Sequence, residues 1–299
     1  DAFERLRAAL RAELGVEPIA ATRELAEQLR HGRTAAPAMP AVAMSPALPA
    51  AGGPFVGRAA ELEALSRHLS DAECRMLTVV GLGGMGKTRL ALEAARRQAY
   101  RFADGVAWAQ LADVARADLL VPRLAAAAGL VPSGPVDPQR QLVNFLRGRQ
   151  LLLVLDNFEQ LLDQAPLLAS LLQEAPGLRL LVTSRVPLHL PDEWLFDLDG
   201  LAWPPESAPA EALAGYDAVK LFMGRAARFR ARFAPNGTTL RDVAALARRV
   251  EGMPLALELA ASWTRLLDVG QILQRLQEGD DLLRPASADV APRQRDVQT

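Results

Sequence analysis

Residues 76–88 read MLTVVGLGGMGKT, and this stretch decides the fold. Met76 to Val80 is a short apolar run of the kind that forms a buried strand. It passes directly into Gly81-Leu82-Gly83-Gly84-Met85-Gly86-Lys87-Thr88, a full match to the P-loop pattern GxxxxGK[ST]. Each residue type there has a separate task. The glycines let successive backbone N–H groups curl around a phosphate, and the helix that follows points its positive end at the same spot. Lys87 can reach β and γ oxygens, and the Thr88 hydroxyl can ligate Mg²⁺. The candidate nucleotide contacts on this stretch are Gly81, Gly83, Gly84, Met85, Gly86, Lys87, Thr88 and Arg89. Composition adds weight, because the only other lysine in the chain is Lys220.

Three more apolar runs follow, Val106 to Leu111, Leu151 to Leu155 and Leu178 to Thr183. They alternate with helical patterns at Arg89 to Tyr100, Leu119 to Ala128, Pro138 to Leu146 and Leu161 to Glu174, and a helix over Ala59 to Leu69 precedes the first strand. Alternating strands and helices predict a parallel sheet covered on both faces, an α/β three-layer sandwich of the P-loop NTPase type. From Asp217 the strand signal stops and helical periodicity runs to about Leu283, which predicts a smaller all-helical domain. Two strand ends carry chemistry. Leu151 to Leu155 ends in Asp156, the candidate carboxylate for Mg²⁺, and Leu178 to Thr183 ends in Ser184-Arg185, where an arginine at the carboxyl edge of the sheet can bond a γ-phosphate. Asn157 occupies the place where a second acid would polarise water. Glu159 is two residues further on, off the strand, so its side chain need not face the site.

Composition sets outer limits. With 34 basic and 35 acidic residues in 299, the chain lacks the charge excess of a protein whose main task is to hold nucleic acid. A single cysteine, Cys74, rules out an internal disulfide, and three scattered histidines form no ligand cluster. This usage fits a reducing cytoplasm. Thr34 to Gly57 is free of charge, but Pro37, Pro40, Pro46, Pro49, Pro54 and Gly52-Gly53 make it a semi-extended spacer and not a membrane span. The predicted organisation is a helical hairpin at 1–33, a linker at 34–54, the P-loop domain at 55–205, the helical domain at 211–285 and a further segment at 286–299. The first residue is not Met, as expected of a piece of a longer protein. On the helix Asp217 to Phe233, Phe222, Phe229 and Phe233 share one side. Arg225, Arg228, Arg230 and Arg232 fall elsewhere and read as a solvated face. The four tryptophans read as packing residues.

Taken in order, these motifs resemble the NB-ARC type of STAND ATPase. Phe55-Val56-Gly57-Arg58 with Glu61 and Leu62 is similar to the family's entry motif, GLGGMGKT and LLLVLDNFEQLL to its Walker A and B, LRLLVTSR to its sensor 1 strand, and Gly252-Met253-Pro254-Leu255-Ala256 to its GxP motif. The resemblance implies that Val56, Arg58 and Pro254 lie against adenine. It also implies that Lys87, Asp156, Asn157 and Arg185 serve hydrolysis, and that Thr88 and Asp156 hold Mg²⁺. The phrasing LDNFEQLL, EWLFDLDGLAWP and EGMPLALELAAS is most similar to the bacterial branch in SARP-type and LuxR-type transcriptional regulators. RLRAALRAELGVEPIAATRELAEQLR resembles the end of a bacterial transcriptional activation domain, and Pro292-Arg293-Gln294-Arg295 the entry to a winged helix.

The resemblance implies an ATP/ADP switch that hydrolyses slowly and self-associates in its ATP state. In the full-length protein a DNA-binding domain would precede it and a sensor would follow, with neither nucleic acid nor membrane bound by this part. Two other readings stay open at this level: a P-loop small-molecule kinase, and a scaffold that holds ADP without turnover.

Overall fold

The computed structural model describes residues 48–50, 52–114, 116–230, 233 and 236–279. The predicted hairpin, most of the linker, the last residues of the helical domain and the segment 286–299 fall outside them.

The sheet consists of β1 (Met76–Val80), β2 (Val106–Gln110), β3 (Leu151–Asp156), β4 (Leu178–Ser184) and β5 (Glu193–Asp197), in the order β2-β3-β4-β1-β5. Every pairing is parallel. Continuous apolar runs suit such strands because helices cover both faces. Alternate residues then divide between two cores. Leu151, Leu153 and Leu155 pack with α3 (Leu120–Ala127), α4 (Pro138–Leu146) and α5 (Ala165–Glu174), while Leu152 and Val154 pack with α1 (Ala59–Ser70) and α2 (Lys87–Gln98). This is the three-layer P-loop NTPase sandwich.

Local chemistry sets several boundaries. Asp137 accepts a hydrogen bond from the Arg140 N–H at 3.0 Å and Pro138 opens α4, which therefore starts where its pattern predicts. The helix predicted from Leu161 begins instead at Ala165, because Pro166 sits in its first turn and a short 3-10 turn, Leu162–Gln164, comes before it. β5 has no counterpart in the sequence reading. It is an edge strand whose residues are half-buried or exposed, so it shows no continuous apolar run. Its Trp194 ring meets the His68 ring edge-on at 5.5 Å, a packing role for both.

A helical layer follows the sheet: α6 (Asp217–Phe229), α7 (Gly237–Arg249), α8 (Pro254–Ser262) and α9 (Val269–Gln277). Its core gathers Phe222, Val243, Leu246, Leu257 and Ile272, with Leu201 and Val56 arriving from outside the layer. α6 ends at Phe229, one turn earlier than predicted, where Arg230 turns extended. Phe229 is exposed, so the expected phenylalanine face is only partly a core face. Among the described residues no helix is long and apolar enough to cross a membrane.

The end of the predicted linker is more than a spacer. Arg96 donates to the Pro49 carbonyl, and Arg89 donates to the Gly53 and Pro54 carbonyls at 2.9 and 3.0 Å. One turn-aligned pair of arginines thus holds this segment along α2.

Candidate functional site

The parallel register brings the carboxyl ends of the strands to one edge: Val80 pairs with Ser184, and Gln110 with Asp156. Ligands of open α/β sheets bind at that edge. The loop 81–86 lies there, with Gly84 and Gly86 at φ +80° and +89°, a backbone region that favours glycine. The nearest atoms to a Cβ on Gly83 would be those of the Arg185 guanidinium, at 3.6 Å, an ordinary contact, so that side of the loop stays open. It faces a cavity of about 380 Å³, lined by Lys87, Thr88, Arg89, Asp156, Asn157, Glu159, Arg185 and Pro254 among others.

Lys87, the first residue of α2, is buried, and its Nζ donates to the Gly81 and Leu82 carbonyls at 2.6 and 3.0 Å. Burial lowers its pKa, Glu159 and Asp156 push it back up, and Arg185 lowers it further. Asp156 is buried at the end of β3. Its Oδ1 accepts from Thr88 Oγ1 and from Thr183 Oγ1, both at 2.7 Å. Burial raises its pKa, and the two hydroxyl hydrogen bonds oppose that rise. β4 lies between β1 and β3, so Thr183 is the strut that joins the two functional ends; it also accepts from the Asn157 N–H at 2.9 Å.

A hydroxyl beside a carboxylate is a hard-oxygen donor pair that fits Mg²⁺, which takes few protein ligands and fills its shell with phosphate and water. Among the described residues there is no group of three or more His, Cys, Asp or Glu able to hold a metal ion. A Mg²⁺-nucleotide supplies the missing oxygens itself.

Glu159 is the residue whose place the sequence misjudges. Asn157 adopts a left-handed conformation, φ 66° and ψ 57°, and starts a 3-10 turn, Phe158–Gln160, anchored by the fully buried Phe158. The turn returns Glu159 to the cavity. Its Oε1 accepts from Asn157 Nδ2 at 3.3 Å and pairs with Arg185 Nε at 3.4 Å.

Residues 58–187 match the NB-ARC domain. Over that stretch the chain is NB-ARC-like. An uncharacterised protein of Mycobacterium tuberculosis is 38% identical over 242 residues, 80% of this chain and 58% of that protein. Another protein of the same species, whose name assigns it provisionally to the HTH-type transcriptional regulators, is 32% identical over 228 residues, 76% of this chain and 24% of that protein. The regulatory protein AfsR of Streptomyces griseus is 32% identical over an alignment of 306 positions, gaps included, that covers 92% of this chain and 29% of that protein. The chain thus spans little more than half of the first relative and under a third of the other two.

The other wall of the cavity comes from beyond the NB-ARC match. Leu255 N donates to the Gly84 carbonyl at 3.2 Å, so a first-turn amide of α8 is satisfied by the P-loop itself. A Cβ on Gly84 would lie 2.9 Å from Leu255 Cβ, and one on Gly86 would lie 3.8 Å from Pro254 Cγ. Glu258, one turn along α8, accepts from Arg225 at 2.7 Å and lies 3.9 Å from Arg89. Arg225 is therefore not part of a solvated arginine face. It belongs to the ionic frame of the cavity.

The predicted adenine contacts are placed unequally. Pro254 lines the cavity, and Val56 and Arg58 do not. Val56 packs against the helical core. Arg58 has only 6% of its surface exposed, in a left-handed backbone position, and donates to Glu61 Oε1 at 2.7 Å and to the Met85 and Asp199 carbonyls at 3.3 and 2.5 Å. In this arrangement the guanidinium braces the outside of the P-loop. Gly81 and Met85 are likewise outside the cavity lining: a Cβ on Gly81 would meet the Leu198 carbonyl at 2.6 Å, and Met85 is buried in the core beneath α1 and α2.

Proposed function

We propose that this region is an ATP/ADP-binding regulatory switch, the ATPase module of a bacterial transcriptional regulator. The observation that carries this reading is the seat of the Met253-Pro254-Leu255 turn on the P-loop, through the Leu255-to-Gly84 hydrogen bond. A nucleotide bound at Lys87 would touch two layers of the molecule at once, so its γ-phosphate state could be read by their contact. Lys87, Thr88 and the N–H groups of the loop would hold the phosphates, and Thr88 with Asp156 would hold Mg²⁺. Bound there, Mg²⁺ would supply positive charge to the phosphate oxygens. Arg185, on the open side of the loop, would distinguish ATP from ADP.

Hydrolysis of ATP to ADP and phosphate would be slow, well below the roughly 10 s⁻¹ typical of enzymes. The ATP state would release the helical layer and favour self-association. In the full-length protein, an upstream DNA-binding domain and a downstream sensor would use that change, in keeping with the regulators among the relatives.

Denaturing the purified protein and identifying any released nucleotide by chromatography tests the reading, with a thermal melt in saturating MgADP beside it. Released ADP and a raised melting temperature are expected. At a thousand times the dissociation constant, linkage contributes about 4 kcal/mol. An empty site together with a melt indifferent to nucleotide would end it. Phosphate released to water with no added acceptor separates the switch from a phosphotransferase.

A further inference from the structure

The cavity contains a carboxylate that the roles proposed above leave unused. Glu159 has 15% of its side chain exposed, and its Oε2 is buried and accepts no hydrogen bond from any described residue. A buried acceptor without a donor is destabilising, and a charged one more so, so such an atom calls for a ligand that can donate. Its other oxygen is occupied twice, by the Asn157 amide at 3.3 Å and by Arg185 Nε at 3.4 Å. Arg185 is half exposed, at 52%, and stands beside the open flank of Gly83. Its guanidinium is therefore shared ground between Glu159 and any γ-phosphate at the loop.

We propose that Glu159 is the catalytic carboxylate that orients the attacking water, and that Arg185 restrains it until a γ-phosphate competes for the guanidinium. The inference rests on the ATPase reading above and sharpens it. When ATP binds, Arg185 exchanges a carboxylate partner for a phosphoryl one, so Oε1 loses its ion pair and the carboxylate, whose Oε2 has no partner, can turn to accept from water. The water oxygen forms a bond to Pγ as the bond from Pγ to the β–γ bridging oxygen breaks. The bridging oxygen leaves on ADP, and the proton of the water passes to Glu159 and then to solvent. ADP has no γ-phosphate, so in the ADP state the pair with Arg185 persists and the base is held. Asn157 becomes a positioning residue for Glu159: its amide donates to the carboxylate and is not free to serve water.

The whole chain is used for the test. Affinities for AMP-PNP and for ADP are measured by calorimetry in wild type, Glu159→Gln, Arg185→Ala and the double variant, with single-turnover ATP hydrolysis alongside. Glu159→Gln should tighten AMP-PNP relative to ADP by about three- to tenfold, since Arg185 no longer leaves an ionic partner. That gain should vanish in the Arg185→Ala background. Hydrolysis by Glu159→Gln should fall by about 10²–10⁴-fold while binding persists. A wild-type rate in Glu159→Gln with nucleotide still bound would overturn the role of Glu159 and leave the ATPase reading standing. An unchanged AMP-PNP to ADP ratio would overturn the exchange. Failure of wild type to bind either nucleotide would remove both.

Discussion

The two walls of the nucleotide cavity are built by different physics. The sheet wall sets Asp156 and Thr183 at the ends of strands whose residues are almost all buried, with Lys87 and Thr88 at the start of α2, and short side-chain hydrogen bonds tie Thr88 and Thr183 to Asp156. The α8 wall touches the same loop through one backbone hydrogen bond, a proline and a leucine against glycines, and ion pairs around Glu258 that solvent partly screens. The first wall exists because the fold exists. The second rests on contacts of a few kcal/mol in all, the range that a ligand's differential affinity can overturn. A wall built into the sheet facing one held by fewer contacts is what the proposed switch requires.

Four substitutions break or sharpen that contrast. The largest effect is expected in the sheet wall. Leu153→Ala, fully buried in β3, should cost about 2–5 kcal/mol of stability and lower the melting temperature of the whole chain. A loss under 1 kcal/mol would mean that the sheet is not the rigid partner. Next is Lys87→Ala. Its side chain serves the loop and a ligand and not a core, so nucleotide affinity should drop about ten- to a hundredfold or more, with the apo melt little changed. Calorimetry with ATP and ADP reads this directly.

Gly252→Ala attacks the second wall. Gly252 has φ +67°, and a Cβ there would run into the Leu201 carbonyl, so the Gly252–Leu255 turn must shift. A loss of about 1–3 kcal/mol is expected, together with a smaller MgADP-induced rise in melting temperature, because the turn no longer seats on Gly84. Full retention of the MgADP shift would show that α8 takes no part in the grip. The smallest effect runs the other way. Asp156→Asn removes a buried charge whose pKa is raised by burial while keeping an oxygen for Thr88 and Thr183. The apo protein should gain about 1 kcal/mol, or roughly 1–2 °C for a chain of this size, while Mg²⁺-dependent nucleotide affinity disappears. A destabilised apo variant would show that the carboxylate holds the sheet ends together.

Much of the sheet wall is legible in the sequence. β1 spans the predicted run residue for residue, and β2, β3 and β4 end within one residue of theirs. A strand covered on both faces must be apolar throughout, and the residue after its last apolar position then stands at the sheet edge, so Asp156 could be placed by counting, while Arg185 follows Val182, the last apolar residue of its strand, by three positions. Thr88, expected beside Asp156 only as a second Mg²⁺ ligand, hydrogen-bonds it directly. Counting failed at Glu159. Standing three residues past a strand says nothing about direction when a left-handed Asn157 turns the chain back; an asparagine directly after the strand, a residue type tolerant of that conformation, was the available signal.

The sequence alone determined the P-loop, the parallel α/β layer, the helical layer after it and the short list of residues at the strand ends. Each of these is a local pattern: a period, a run, or a motif within a few residues. The tertiary structure alone decided that Arg58 braces the loop from outside, that Arg225 meets Glu258 and Arg89, that Leu255 bonds Gly84, and that an exposed edge strand, β5, completes the sheet beside β1. Most of these contacts join residues tens to more than a hundred positions apart. Their energies come from burial and charge in a shared space, which no spacing along the chain encodes.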